Sequence, residues 1–249
     1  MSIDENILQR LRNIATPTLA NALDDIGFNG VMNNLHPAGL GMKIVGRAVT
    51  VQEVTGPYGS FSTEEFKVGH MIDAASPGDV IVVANNGAQV STWGGMASYS
   101  AKLKGIAGLV VDGGVRDREE IVEFSFPTFS KHMVPTPGKT RIKVLSINEP
   151  IICAGVRVRH GDIIVGDGTG VLCLPIEHVE KITEEFKSSL PNGVEIVLSK
   201  TSADAISNRL EILLRNGLQG LALVLILLFV FLSARTAFWV AAGIPAALF

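Results

Sequence analysis

Cysteine is nearly missing from this chain of 249 residues: Cys153 and Cys173 are the two present. Both sit in apolar runs, with no CxxC and no Cys/His ligand spacing. That excludes a disulfide framework and a structural zinc site. A basic surplus is missing too, and a net charge of −3 argues against a nucleic-acid binder held by phosphate contacts. The first residues, Met1-Ser2-Ile3-Asp4-Glu5-Asn6, are polar and acidic rather than basic and apolar, so the front of the protein is expected to be cytoplasmic. No internal repeat of roughly 20–50 residues is visible. His36, His70, His132, His160 and His178 lack ligand spacing, and each reads as surface or structural.

What is present reads as an α/β domain followed by a tail of different composition. Residues 5–26 carry Ile7, Leu8, Leu11, Ile14, Leu19, Ala22, Leu23 and Ile26 at helical spacing. Thr16-Pro17-Thr18 is expected to divide them into two helices, with Thr16 as cap and Pro17 in the first turn. Strands are expected at 43–54, 80–84, 109–111, 126–129, 142–144, 156–158, 163–165 and 170–174. Helices are expected at 66–75, 97–104 and 175–187. Helices and strands alternate up to about residue 125, and short strands with Gly/Pro turns follow. That order predicts a mixed sheet or two packed sheets.

Three elements could carry chemistry. Gly105-Ile106-Ala107-Gly108-Leu109-Val110-Val111 reads as a short buried strand feeding a turn at Gly113-Gly114, which presents Arg116 and Asp117 at a loop tip. Arginine grips carboxylates with two parallel hydrogen bonds, and Asp is a hard oxygen ligand for Mg²⁺ or Mn²⁺. The plain alternative is a local salt bridge. Glu120 follows one turn on and could orient metal-bound water, or be no more than an exposed helix carboxylate. Asn85-Asn86-Gly87 ends the strand at 80–84, and Trp93-Gly94-Gly95-Met96 precedes a helix. Consecutive glycines there expose backbone N–H groups suited to a carboxylate, unless they form an ordinary turn and cap. Val110-Val111-Asp112-Gly113-Gly114 is not a GxGxxG nucleotide loop.

Gly95, twenty intervening residues, Arg116-Asp117, two more residues and then Glu120 resemble the metal-site signature of the class II 4-hydroxy-4-methyl-2-oxoglutarate aldolases. That family includes the RraA regulators of ribonuclease activity. Flanking segments agree: Thr16-Pro17-Thr18-Leu19-Ala20-Asn21, Gly46-Arg47-Ala48-Val49-Thr50, Pro77-Gly78-Asp79-Val80, Val111-Asp112-Gly113 and Gly161-Asp162. The resemblance covers about residues 10–187. It implies the RraA-like fold (swivelling β/β/α type), a ring-shaped homotrimer or hexamer, and a lyase with oxaloacetate decarboxylase activity that releases pyruvate from 2-oxo acids. Asp117 would hold Mg²⁺ or Mn²⁺, with Glu120 acting through water. Arg116 would neutralise the developing enolate oxygen, and the Gly94, Gly95 and Met96 amides would hold the substrate carboxylate. Catalytic roles thus fall on Arg116, Asp117 and Glu120. Lys102 and Lys104 lie on an amphipathic helix with access to solvent, so a metal-stabilised enolate is preferred to an imine. The alternative within the family is a non-catalytic regulator that binds a protein partner. Regulators tend to lack the acid at the position of Glu120.

The division falls near residue 188, giving an aldolase-like domain at 1–188 and a tail at 189–249. Residues 203–218 are amphipathic, with Ile206, Leu210, Leu213, Leu214 and Leu218 on one face. Residues 216–234 then run without a charge, about the length that crosses a bilayer. Arg235 interrupts, and 236–249 is a shorter apolar run. The tail resembles a second transmembrane region of resistance-nodulation-division efflux transporters but carries none of that family's proton-relay carboxylates. A fusion is expected, with activity in the first domain and membrane contact possible through the tail. A third reading puts the function in that membrane fragment.

Overall fold

Hydrophobic alternation in one strand explains the layering. In Val80-Ile81-Val82-Val83-Ala84 every residue is buried. Val80, Val82 and Ala84 pack to one side, while Ile81 and Val83 pack to the other. A strand apolar on both faces belongs at the centre of a sheet covered twice. The computed structural model, which describes residues 5–179 and 182, places it there.

In chain order the elements are α1 (Glu5–Leu11), α2 (Thr16–Asp25), β1 (Val31–Met32), β2 (His36–Pro37) and β3 (Ile44–Thr55). A 3₁₀ turn (Thr63–Phe66), α3 (Val68–Ala74), β4 (Val80–Trp93), α4 (Gly95–Leu103), β5 (Gly108–Val115) and α5 (Arg118–Glu123) follow. The remainder are β6 (Thr128–Met133), β7 (Ile142–Ile147), β8 (Ile151–Cys153), β9 (Val156–Val158), β10 (Ile163–Asp167) and β11 (Gly170–Leu174). The main sheet is mixed, in the order β1-β11-β10-β3-β4-β5-β6-β2, with β7 also paired to β3. Its centre, β3-β4-β5-β6, is parallel, and the remaining pairings are antiparallel. A separate hairpin joins β8 to β9.

Three apolar clusters follow from this order. Met71 of α3, Ala101 of α4 and Ile121 of α5 cover Val49, Val51, Ile81, Val83, Leu109 and Val111. The β8–β9 hairpin supplies Ile151, Cys153, Val156 and Val158 to the opposite face, against Val80, Val82, Val110 and Phe129. Helices α1 and α2 pack Leu8, Leu11, Leu19 and Leu23 onto Ile163, Val165, Leu172 and Leu174. Each such fully buried aliphatic side chain contributes about 1.5–3 kcal/mol of transfer free energy. Cys153 and Cys173 are free and buried, and burial pushes both thiols above their ordinary range.

Several segments that the family resemblance rests on are explained by close backbone approach. A Cβ at Gly46 would stand 2.2 Å from the Gly78 carbonyl oxygen, so β3 and the turn before β4 touch only because Gly46 lacks one. Asp162 accepts the Arg159 and Ile176 amides at 2.8 and 3.2 Å and fixes the turn into β10.

The structure corrects three local expectations. Asn85-Asn86-Gly87 does not end β4. The strand runs on to Trp93 through register shifts against β5, with Asn86 and Gly87 at φ of 50° and 72° absorbing the irregularity. Gly113-Gly114 is likewise no turn: β5 continues to Val115 because the second half of β4 lies beside it on one edge and β6 on the other. Thr16 does not cap α2, whose cap is Ala15. Its amide and hydroxyl instead bond Asp167 of β10 at 2.9 and 2.8 Å, tying the helix pair to the sheet. No helix among the described residues is long and apolar enough to cross a membrane. The expected transporter-like spans at 189–249 lie outside the described residues, as does about half of the helix expected at 175–187.

Two hydrogen bonds depend on Thr16, and the Thr16→Val variant keeps its shape while deleting the hydroxyl. It is expected to lower unfolding free energy by about 0.5–1.5 kcal/mol, read by urea denaturation at pH 7.

Candidate active site

The parallel strands β4 and β5 end side by side, and both lead directly into helices. Ligand sites in such sheets form beyond the carboxyl ends of the strands, where the helix N-termini point. Here β4 leads through Gly94 into α4, and β5 leads through Arg116-Asp117 into α5. Asp117 adopts the left-handed conformation, φ 57°, which Asp tolerates better than most residues. The sharp reversal turns its carboxylate back toward α4. Asp117 Oδ2 accepts the Gly95 amide at 3.1 Å and lies 3.3 Å from Arg116 Nε. The local salt bridge therefore exists, and it lines a cavity.

That cavity has a volume of about 190 Å³, enough for several waters or one small acid. Its charged lining is Arg116, Asp117 and Lys139; Thr92, Gly94 and Met96 contribute to the wall near α4. Phe66 comes from the 3₁₀ turn, and Pro137 and Gly138 precede Lys139 in the loop before β7. Two cations and one carboxylate face the space, an arrangement that favours an anionic ligand.

Both glycines are required by carboxylates. A Cβ on Gly94 would stand 2.5 Å from Asp117 Oδ2, and one on Gly95 only 1.6 Å from Glu120 Oε2. The spacing of Gly95, Arg116-Asp117 and Glu120 thus records one contact, in which the first turn of α5 packs against the first turn of α4. Glu120 stands on the far side of that contact and is not part of the cavity wall. The Gly95 amide is already bonded to Asp117, which corrects the expectation that all three amides of Gly94, Gly95 and Met96 receive substrate.

For a divalent metal, the donor chemistry fits one arrangement. Among the described residues no group of three or more His, Cys, Asp and Glu side chains could hold a metal, so a cage made of this chain alone is not built here. Asp117 is the carboxylate of the cavity lining, and its Oδ2 carries both the Gly95 amide and the Arg116 contact. Mg²⁺ is commonly held by one or two carboxylates with water and substrate completing its shell, and that mode fits.

The loops at 58–66 and 132–139 are, from the sequence, candidates for the outer part of the pocket, and Phe66 and Lys139 from them line the cavity. One participant escaped the sequence reading: Glu53, on the buried side of β3 and 1% exposed. Its Oε2 lies 2.6 Å from Thr92 Oγ1, and Oε1 is buried without a partner. Burial raises its carboxyl to about 8, moderated by the Thr92 hydroxyl. The alternation Val49, Val51, Glu53 was the available signal, since it puts an acid at a core position.

Two outcomes test this geometry. Gly95→Ala is expected to cost about 1–3 kcal/mol by overpacking, measured by thermal unfolding. Trimming Glu120 to Ala in the same chain should return part of the loss, as coupled neighbours do. Glu53 holds its proton in the folded state up to about pH 8, whereas the unfolded chain releases it near 4.5. The native state binds more protons in that window, so stability falls as pH rises through it. Glu53→Gln removes this slope, and its stability relative to the parent should improve by a few kcal/mol between pH 5 and pH 9.

Residues 16–173 match the family model for RraA-like: Aldolase/RraA. The protein DlpA of Legionella pneumophila is 33% identical over 181 residues, which is 72% of this chain; the chain spans only 29% of DlpA's length. A protein of Halalkalibacterium halodurans, named provisionally as a 4-hydroxy-4-methyl-2-oxoglutarate aldolase, is 33% identical over 183 residues, covering 73% of this chain and 82% of that protein. Among solved structures, RraAS2 of Streptomyces coelicolor, an unusual member of the RNase ES inhibitor RraA family, aligns with a TM-score of 0.66. It is 23% identical over 76% of this chain and 93% of that one, a likeness of fold. With its mixed sheet, its paired strand ends and a matching segment from 16 to 173, the chain belongs to the Aldolase/RraA family.

Proposed function

We propose that this protein is a divalent-metal-dependent carbon–carbon lyase. Its substrates are small 2-oxo acids of the 4-hydroxy-4-methyl-2-oxoglutarate type, with oxaloacetate decarboxylation as a second outcome at the same site. The observation that carries the reading is the convergence of Arg116, Asp117 and Lys139 on one small cavity at the N-terminus of α4. The name of the Halalkalibacterium relative supports it.

Cleaving the bond between C3 and C4 of a 2-oxo acid leaves an electron pair that must be delocalised onto the keto oxygen. Catalysis therefore consists largely in placing fixed positive charge where that oxygen becomes anionic. Arg116 is held by its Nε contact to Asp117, which leaves its terminal nitrogens to donate to the keto oxygen. The Gly94 and Met96 amides, at the positive end of α4, receive the 1-carboxylate. Lys139, across the cavity, neutralises a second carboxylate, which gives a preference for dicarboxylic acids. Asp117 would hold Mg²⁺ or Mn²⁺, which when bound supplies Lewis-acid polarisation of the keto group. Glu120 keeps α5 seated against Gly95 and so fixes the direction of Asp117; any action on metal-held water would be indirect. The assembly that fits the family is a trimer or hexamer of this chain.

The deciding measurement is pyruvate release from oxaloacetate and from 4-hydroxy-4-methyl-2-oxoglutarate, with Mg²⁺ and with EDTA. Activity with Mg²⁺ and its loss in EDTA are expected. Arg116→Ala should lower kcat by roughly 10²–10³-fold, and Asp117→Ala should remove the metal response. Release that persists in EDTA, or an Asp117→Ala chain as active as the parent, would defeat the metal-enolate mechanism. Absence of release from every 2-oxo acid would turn the assignment to a regulator that binds a protein partner.

A further inference from the structure

Beyond Ala84, β4 loses its backbone ladder with β3: the paired positions run from Ala48 and Val80 to Gln52 and Ala84 and stop there. Residues 85–92 then make an irregular excursion, in which Ala88 and Ser91 stand opposite Gly113 and Gly114 of β5. Side chains replace the ladder at both ends of it. Asn85 Nδ2 donates to Thr92 Oγ1 at 3.2 Å and closes the neck. Two residues of β3, two positions apart and so on one face, grip that neck. The Thr55 hydroxyl donates to Asn85 Oδ1 at 2.5 Å, and Glu53 Oε2 lies 2.6 Å from Thr92 Oγ1. Glu53, Asn85 and Thr92 are all buried, so water does not readily replace a bond lost from this circuit.

The charged groups of the cavity are all referred to the backbone on either side of Thr92. Before it, the Ser91 amide donates to the Thr136 carbonyl at 2.9 Å. Gly138 sits so close to the Ser91 carbonyl oxygen that a Cβ there would stand 2.5 Å away. The loop held in this way carries Lys139. After it, the Trp93 carbonyl accepts the Arg116 amide at 3.0 Å, and the Gly95 amide donates to Asp117. Arg116 and Lys139 come from separate parts of the chain, and the place of Thr92 sets the gap between them. The Thr92 hydroxyl is engaged by Glu53 and Asn85, so what it passes to the cavity is the position of its backbone.

We propose that Glu53 is a positioning residue for this site: by holding Thr92 it fixes the gap between Arg116 and Lys139, and so the length of doubly anionic 2-oxo acid that both reach. The inference rests on the lyase reading, which puts the keto acid at Arg116 and a second carboxylate at Lys139. Glu53 itself touches no substrate. A carboxyl suits the task in either form, since it donates to a hydroxyl when protonated and accepts from it when ionised. A Gln amide can also bond the hydroxyl, and an Ala methyl cannot. Such a pivot matters to a ligand that bridges the cavity and little to one held at a single end. Pyruvate engages Arg116 alone, whereas 2-oxoglutarate engages Arg116 and Lys139. Loosening Thr92 therefore weakens 2-oxoglutarate selectively, which a general loss of folding would not do.

The test is isothermal titration calorimetry of the full chain with pyruvate and with 2-oxoglutarate, both in Mg²⁺. Neither acid carries a C4 hydroxyl to be cleaved, so binding is read without turnover. The parent should bind 2-oxoglutarate about tenfold more tightly than pyruvate, the worth of one hydrogen bond to a charged group. Glu53→Ala and Thr92→Val are expected to remove about that tenfold from 2-oxoglutarate and to change pyruvate much less. Glu53→Gln and Thr92→Ser should keep the parental ratio. Lys139→Ala should remove the preference by itself, and adding Glu53→Ala to it should not change the ratio further, as for two residues acting through one gap. Glu53→Ala and Thr92→Val chains that keep the parental ratio overturn the proposal, and so does an equal loss of both acids. If Glu53→Ala does not fold by circular dichroism, Thr92→Val against Thr92→Ser decides. A parent that prefers 2-oxoglutarate but releases no pyruvate from oxaloacetate defeats the lyase reading, while the ratio still decides the role of Glu53. A parent that releases pyruvate but binds the two acids equally defeats the positioning role alone, and one that binds neither defeats both.

Discussion

Two glycines in succession at the start of α4 set the rest of the site. A side chain at Gly94 would occupy the place of the Asp117 carboxylate, and one at Gly95 that of the Glu120 carboxylate. Because neither exists, the first turns of α4 and α5 close on each other, and the Asp117 carboxylate accepts the Gly95 amide. Acids at a helix N-terminus are favoured by the unpaired amides there, so the contact is electrostatic as well as steric. The left-handed backbone of Asp117 and the reversal of the chain after Val115 are tolerated because this contact holds them. Arg116 is then directed into the cavity by its neighbour and not by a distant partner.

The same contact explains which parts of the protein were legible in its sequence. Gly95, Arg116-Asp117 and Glu120 stand at fixed spacing because three short-range packing requirements fix them, and such spacing survives in a linear string. The central strands were legible for a related reason, since a run apolar on both faces has few other placements. The extension of β4 through Asn85-Asn86-Gly87 was not legible. Those residue types signal a turn, and Asn86 and Gly87 do take left-handed backbone; pairing of Ala88, Ser91 and Trp93 with β5, a partner distant in sequence, carries the strand on past them. Gly113-Gly114 misled in the same way. Thr16 has the composition of a cap, yet Asp167 claims its hydroxyl, and no local pattern announces a partner 151 residues away. Lys139 joins the site through a loop whose course depends on the whole sheet.

Glu53 shows a different limit. Period-two alternation put an acid on the buried face of β3 beside Val49 and Val51, and that anomaly was readable. Its meaning was not, because it lies in a single contact with Thr92, 39 residues on. A buried carboxyl with one hydrogen bond and one unpartnered oxygen is a poor stabilising device. Transferring an ionised carboxylate to such a place is costly, and the group responds by holding its proton. Its retention behind a cavity wall is easier to understand as chemistry than as packing.

The charges of the site fit that view. An anionic 2-oxo acid would meet Arg116, Lys139 and the amide end of α4, and it would meet Glu53 as a neutral group. A negative substrate beside Thr92 disfavours ionisation of Glu53 further, and by linkage protonated Glu53 favours the negative substrate. Binding and proton loading therefore support each other before the bond breaks.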